Sequence, residues 1–243
     1  MGPLPLLWLA VSLAGAEEPP ALTVKATQEV ARRLLAASRY RGEVRLRYYA
    51  PGVRSEDFDG APVVGVPKHL LNASAGSIAP RLDKNPLDSA VIYWTPRFYA
   101  YAKTLDEVAF IMAHEVAHLE LEHGPRYVEA YCAMYRAWKK KKAAPCVMDP
   151  PDYKRFASEM AAPRERLKLL ARASEYEADQ RAMRLASAAG YDARVYATLF
   201  ARADAFWREP GFVRTELHPE PADRMKHLEV TALPEVLADQ AAW

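Results

Sequence analysis

Residues 104–124 read TLDEVAFIMAHEVAHLELEHG. Thr104 with Glu107 three residues on is a capping box, so a helix opens there, and Gly124 is placed to close it. Pro125 suits the first turn of a following helix that reaches about Lys142. Inside the first helix, His114-Glu115-Val116-Ala117-His118 is an HExxH motif. Residues four apart on a helix are offset by only about 40°, so both imidazoles leave one face and can share a metal. Glu115 lies about 100° round from His114, close enough to reach a water held by that metal. Chance produces HExxH in roughly one chain in a hundred of this composition, so alone it is equally an account of two core histidines. A third ligand decides the matter.

His123 does not supply it. Nine residues past His114 it falls about 180° round a continuous helix, which makes it a helix-end residue whose charge the last carbonyls favour. The better candidate stands in Ser174-Glu175-Tyr176-Glu177-Ala178-Asp179. On the helix expected from about Arg164 to Ala189, Leu167, Ala171, Ser174, Ala178, Ala182 and Leu185 form one narrow stripe. Glu175 lies about 60° from its centre and Asp179 about 100°, on the same flank. A carboxylate at a packed face is costly unless paired or metal-bound. Beside HExxH, Glu175 is the expected third ligand, and Asp179 the group that orients a ligand imidazole through its second nitrogen; the plain alternative is an ordinary amphipathic helix with solvated acids. Glu177 falls on the other flank beside Arg181 and Arg184, as a solvated i,i+4 ion pair.

Outward from these helices, residues 21–40 have helical spacing and 43–49 alternate as a half-buried strand. Residues 50–87 are rich in Pro, Gly and Ser, with short apolar runs at Val63–Val66 and Leu70–Leu71. Ser89–Trp94 is a stronger strand, stopped by Pro96. Four prolines break 143–163. Gly190 closes the Glu175 helix, Asp192 caps another to about Arg208, and a short helix near 220–229 precedes a polar tail. No repeat and no linker interrupts this order. The fold class is α+β and helix-rich: a small β-sheet beside the HExxH helix, in one domain over 17–243.

The chain begins differently. Leu4 to Ala14 is apolar, Ala14-Gly15-Ala16 has the small-x-small pattern of a cleavage site, and Glu17, Glu18, Pro19 and Pro20 follow. The apolar run is too short to span a bilayer comfortably, so residues 1–16 read as a signal peptide, the alternative being an uncleaved anchor. The expected protein is exported, periplasmic or secreted, with no transmembrane helix in the mature chain. Cys132 and Cys146 are then candidates for a disulfide in an oxidising compartment. The bridge is tight: a helix from Cys132 to Lys142 climbs about 15 Å, and four residues retrace only about 14 Å. Two free thiols are the alternative.

Composition removes other classes. The 243 residues are 51% hydrophobic and 26% charged, which excludes disorder, and 33 basic against 31 acidic residues leave +2. A nucleic-acid binder shows a larger excess in a visible stripe, so no nucleic-acid partner is expected. Lys139–Lys142 raises peripheral membrane association, but four lysines at a helix end usually complement its dipole. Tyr127, Tyr131, Tyr135 and Trp138 at helical spacing read as packing. His69 and His227 have no evident partners.

Taken together, HExxH, the Glu175–Asp179 block some sixty residues later, Ala189-Gly190-Tyr191-Asp192, and His218-Pro219-Glu220-Pro221-Ala222-Asp223-Arg224 resemble the HtpX/BepA-like zinc metallopeptidases. These are gluzincins related to the CAAX prenyl proteases. The resemblance spans about residues 85–230 and looks like the small, single-domain exported type. It implies a zincin-like fold and one Zn²⁺ per chain, held by His114, His118 and Glu175. Glu115 would be the catalytic acid/base, with Asp179 and Arg224 behind the ligands. His218 would approach the metal, stabilising the oxyanion or acting as a fourth ligand that plugs the site; the plain alternative is a loop residue before a helix.

Two departures accompany it. No membrane helix or helical-repeat tail is evident, and the Asn-Ala-x-Ala strand that usually precedes the zinc helix is not found in Asp88–Phe98, which reads DSAVIYWTPRF. If Ala90, Val91, Ile92, Tyr93 and Trp94 are nevertheless the active-site edge strand, they hold an extended peptide by strand addition, with Trp94 altering the adjacent pocket. The implied function is hydrolysis of peptide bonds, of unfolded or misfolded envelope proteins, by Glu-assisted attack of metal-held water. The rivals are a silent zinc-stabilised binding or chaperone-like protein occluded by His218, and a hydrolase of non-peptide amides.

Overall fold

A computed structural model of the chain describes residues 22–48, 74–77, 89–94, 99, 102–140, 153–207 and 217–241. The expected signal peptide, the apolar runs at Val63–Val66 and Leu70–Leu71, His69 and Cys146 lie outside the described residues.

Helix α1 (Val24–Ala37) opens on Thr23, whose hydroxyl accepts from the Ala26 amide at 3.0 Å. Strands β1 (Glu43–Tyr48), β2 (Ser74–Ser77) and β3 (Ser89–Trp94) form a sheet in the order β1-β3-β2. β1 runs parallel to β3, pairing Val44 with Ala90 and Tyr48 with Trp94; β2 runs antiparallel, pairing Ser74 with Tyr93. This corrects the expectation for Ala90–Trp94. β3 is the central strand, both its backbone edges are occupied, and it is closed to an extended peptide. Trp94 is also not at a substrate pocket: it is wholly buried, and its Nε1 donates to Tyr99 Oη at 2.9 Å. The Asn-Ala-x-Ala pattern sought in Asp88–Phe98 occurs instead as Asn72-Ala73-Ser74-Ala75, whose last two residues open β2.

Helix α2 (Leu105–Glu120) is the central element. Thr104 caps it by accepting from the Glu107 amide at 3.1 Å, and Glu107 reaches back to the Lys103 amide at 2.6 Å. Glu107 is itself buried and also meets Thr198 and Arg202. Val108, Ala109, Phe110, Met112, Ala113, Val116 and Ala117 bury α2 on nearly every side, as expected of a helix apolar all round. It does not run on to Gly124. Leu121 ends it, Glu122 turns left-handed at φ 56°, and α3 (His123–Lys139) starts at once with Pro125 in its first turn.

α3 packs through Tyr131, Tyr135 and Trp138 around Phe156 of α4 (Tyr153–Glu159), with ring centroids 5.2–5.6 Å apart. Cys132 is disulfide-bonded. Lys139 Nζ lies 4.5 Å from the Trp138 ring centroid, which ties that lysine to its own helix end.

α5 (Ala161–Ala188) lies along α2. It starts earlier than the prolines predicted, because Pro163 sits in its first turn, where a missing N–H costs nothing. Gly190 closes it at φ 85°. Asp192 then caps a short 3-10 turn leading into α6 (Tyr196–Trp207), as expected. α7 (Pro221–Thr231) is followed by α8 (Leu233–Ala241), where a polar tail had been expected. Val236 and Ala232 explain the difference, since both are buried in the main core with Leu228 of α7. Among the described residues no helix is long and apolar enough to cross a membrane.

Candidate metal centre

α2 carries His114 and His118 on one face, and α5 brings Glu175 against them. The donor atoms of these three residues lie within 4.8 Å of one another. His114 Nε2 and His118 Nε2 are 2.9 Å apart, and each is 3.4 Å from one Glu175 oxygen. Donors placed tetrahedrally at the zinc bond lengths of imidazole and carboxylate would stand roughly 3.3 Å apart, so the cluster has the dimensions of a zinc site. A second observation points the same way. Glu175 Oε2 is buried and makes no hydrogen bond, a costly state for a carboxylate oxygen that a cation relieves. The residues fit zinc.

The groups behind the ligands are as specific. Asp179 is 0% exposed; Arg224 donates to both its oxygens at 2.7 and 2.6 Å, so the remaining contact, His114 Nδ1 at 2.9 Å, is a donation from the imidazole. Nε2 is then the nitrogen turned to the cluster, where it offers a lone pair once a metal displaces its proton. Burial alone would lower the His114 pKa, but the Asp179 and Glu175 carboxylates outweigh it and raise it to about 10. The same carboxylates that hold a proton there attract a metal cation. Burial pushes the Glu175 carboxyl up, yet His114 and His118 hold it well below the usual carboxylate range. Arg224 stacks over Phe200, 4.7 Å from the ring centroid, and approaches Glu175 Oε2 at 3.8 Å.

Glu115 is buried beside the cluster. His218 stands on the turn before α7, 43% exposed, with Nε2 3.6 Å from Glu175 Oε1. Partial burial of the ring, with the positive charges of Arg224 and His114 beside it, holds the imidazole below its ordinary pKa against the pull of Glu175 and Glu115.

Three expectations are corrected here. His123 is not at the end of the zinc helix; it opens α3, is 4% exposed, and places Nδ1 2.9 Å from His118 Nδ1. Burial first, then His118, lower its pKa to about 4, so it carries no charge for a helix terminus. Glu177 does not pair with Arg181 or Arg184. It meets His123 and Arg126, both at 3.1 Å, whereas Arg181 pairs with Glu120 and Arg184 with Glu235. His227 has partners too: Gln180 Nε2 at 2.7 Å and the Tyr176 ring. No helical-wheel argument finds these contacts, because each runs between helices.

This helix-rich domain, with two helix-borne histidines and a distant glutamate converging on one point, has the construction of a zinc metallopeptidase. The model of peptidase family M48 matches residues 85–232, more than half of the chain, and the chain belongs to that family. Neither the curated proteins nor the solved structures contain a significant match. Family membership makes the protein a zinc-dependent metallopeptidase with polypeptide substrates.

Proposed function

We propose that the chain is a zinc endopeptidase of the HtpX/BepA-like, gluzincin type, acting on unfolded or misfolded envelope proteins. The convergence of His114, His118 and the buried, hydrogen-bond-free oxygen of Glu175 beside Glu115 carries this reading. His114, His118 and Glu175 hold one zinc, which when bound supplies Lewis acidity toward water and the scissile carbonyl. Glu115 takes the proton of the attacking water and delivers it to the leaving amine nitrogen. Asp179, held by Arg224, keeps the His114 ring in its ligand tautomer. His218, as a neutral imidazole, donates an N–H to the carbonyl oxygen as negative charge develops there.

Among the described residues β2 is the outer strand on the α2 side of β3, so it, rather than Ala90–Trp94, is the strand on which an extended peptide adds. The apolar Leu4–Ala14 run and the Ala14-Gly15-Ala16 site support export, with removal of residues 1–16 and a single peptidase domain over 17–243. Expression with an export pathway should yield a product whose first residue by terminal sequencing is Glu17. A product retaining Met1 means an anchor instead.

One observation favours a second reading. His218 Nε2 stands 3.6 Å from Glu175 Oε1, near enough to become a fourth ligand and silence the enzyme. Casein cleavage by the mature chain separates the two. Chelator-sensitive cleavage restored by zinc supports the open enzyme. Zinc binding without cleavage, with activity gained in His218→Ala, supports a plugged one. Silence in both leaves the binding-protein reading.

A further inference from the structure

The two histidine ligands are backed differently. Behind His114 stands a carboxylate of α5, Asp179, clamped by Arg224. Behind His118 an imidazole is interposed: His118 Nδ1 faces His123 Nδ1 at 2.9 Å, His123 Nε2 faces Glu177 Oε2 at 3.1 Å, and Arg126 Nη1 donates to the same oxygen at 3.1 Å. With a metal on His118 Nε2, the proton positions in this chain follow from one another. His118 Nε2 points at the ligand cluster, so to serve as a lone pair it requires the proton on Nδ1. That N–H points at His123 Nδ1, which accepts only if His123 carries its own proton on Nε2. Glu177, an acceptor already held by Arg126, stabilises that arrangement. The rings of His118 and His123 stand 77° apart with centroids 4.9 Å apart, so they meet edge-on rather than stacking.

We propose that His123 is a positioning residue of the metal centre: with Glu177 it fixes the ring orientation and the ligand tautomer of His118, as Asp179 with Arg224 does for His114. The placement depends on the left-handed Glu122, which swings the chain after α2 so that His123 returns beneath His118. A helix continued through 123 would carry the ring to the far side. The inference rests on the zinc site of the previous section and extends it to a residue that contacts no metal.

The experiment is a zinc titration of the full chain by competition with a chromogenic chelator, with the cobalt absorption spectrum recorded alongside. His123→Phe keeps a planar ring and removes the acceptor; zinc affinity should fall about 10- to 100-fold, the usual effect of losing a group behind a metal ligand. His123→Asn restores an acceptor at the Nδ1 position but carries no donor at the Nε2 position for Glu177, so affinity should recover to the level of Glu177→Ala, and the cobalt spectrum to the wild-type shape. Glu177→Ala alters a side chain 47% exposed, folds irrespective of the outcome at 123, and should weaken zinc by several-fold, about 3 to 10. Wild-type affinity in His123→Phe overturns the proposal, as does His123→Asn as weak as Phe, which would make the loss one of packing. If His123→Phe does not fold, unchanged affinity in Glu177→Ala overturns it. A wild-type chain that takes up no zinc, or a His114→Ala chain that binds it as tightly, removes the metal centre itself and this proposal with it.

Discussion

Glu115→Gln is expected to lower kcat for peptide hydrolysis by about 10²- to 10⁴-fold while zinc content stays at the wild-type level. Glutamine preserves the shape and burial of Glu115 but cannot accept a proton from water or return one to the leaving nitrogen. The three ligands belong to other residues, and their separations of 2.9–3.4 Å do not depend on Glu115. Zinc quantification and casein cleavage in the same sample test both halves. A fully active Glu115→Gln chain would remove Glu115 from the chemistry. Loss of zinc along with activity would make Glu115 a structural or metal-holding group instead.

Arg224→Met should destabilise the chelated protein by about 3–5 kcal/mol, because it strips the cation from a carboxylate with no exposed surface. Asp179 is 0% exposed, and its carboxyl is held below the usual range, against burial, by Arg224 first and His114 second. With Arg224 gone, His114 is the remaining group among the described residues that holds that charge. For a chain of this size the thermal midpoint should fall roughly 10 °C. Working on chelated protein separates the effect from lost metal binding. The double variant Asp179→Leu with Arg224→Met should recover most of the midpoint, since a buried ion pair replaced by apolar groups of similar volume is often neutral. A single variant as stable as wild type would show that the pair is not a buried charge. A double variant no better than the single would assign the loss to the Phe200 stacking surface of Arg224.

Each of these residues was legible in the sequence to a different degree. His114, Glu115 and His118 follow from one helix period. Glu175 follows from the flank it occupies on a packed stripe, and Asp179 from being one turn further on. Yet Asp179 stands about 100° from the stripe's centre, and its complete burial comes from α7, which lays Arg224 across it. For His123 the wheel gave the wrong answer because its premise, an unbroken helix from Thr104 to Gly124, fails at Glu122. For Glu177 it failed because the partners, His123 and Arg126, stand on another helix. Nothing in the residue type of Glu122 announces a left-handed turn.

The sheet shows the same boundary. Ser89–Trp94 is readable as a strand from its β-branched and aromatic run, and β1 from its alternation. Which of them is the edge is a matter of pairing. Of the two outer strands, Ser74–Ser77 has the sequence Ser-Ala-Gly-Ser, with no periodicity by which to find it. α8 was hidden likewise: among its described residues, Val236 is buried and Leu233 is partly buried against the core.

By itself the sequence determined the motif helix, the histidine pair, the third member of the candidate metal cluster and the helix-rich class, because each depends on spacing within one element, where backbone geometry converts residue number into direction. The tertiary structure alone decided that Ala90–Trp94 is central, that Arg224 clamps both oxygens of Asp179, and that His123 lies against His118. Those are contacts between elements, set by how helices and strands close on a shared core, and no single period encodes them.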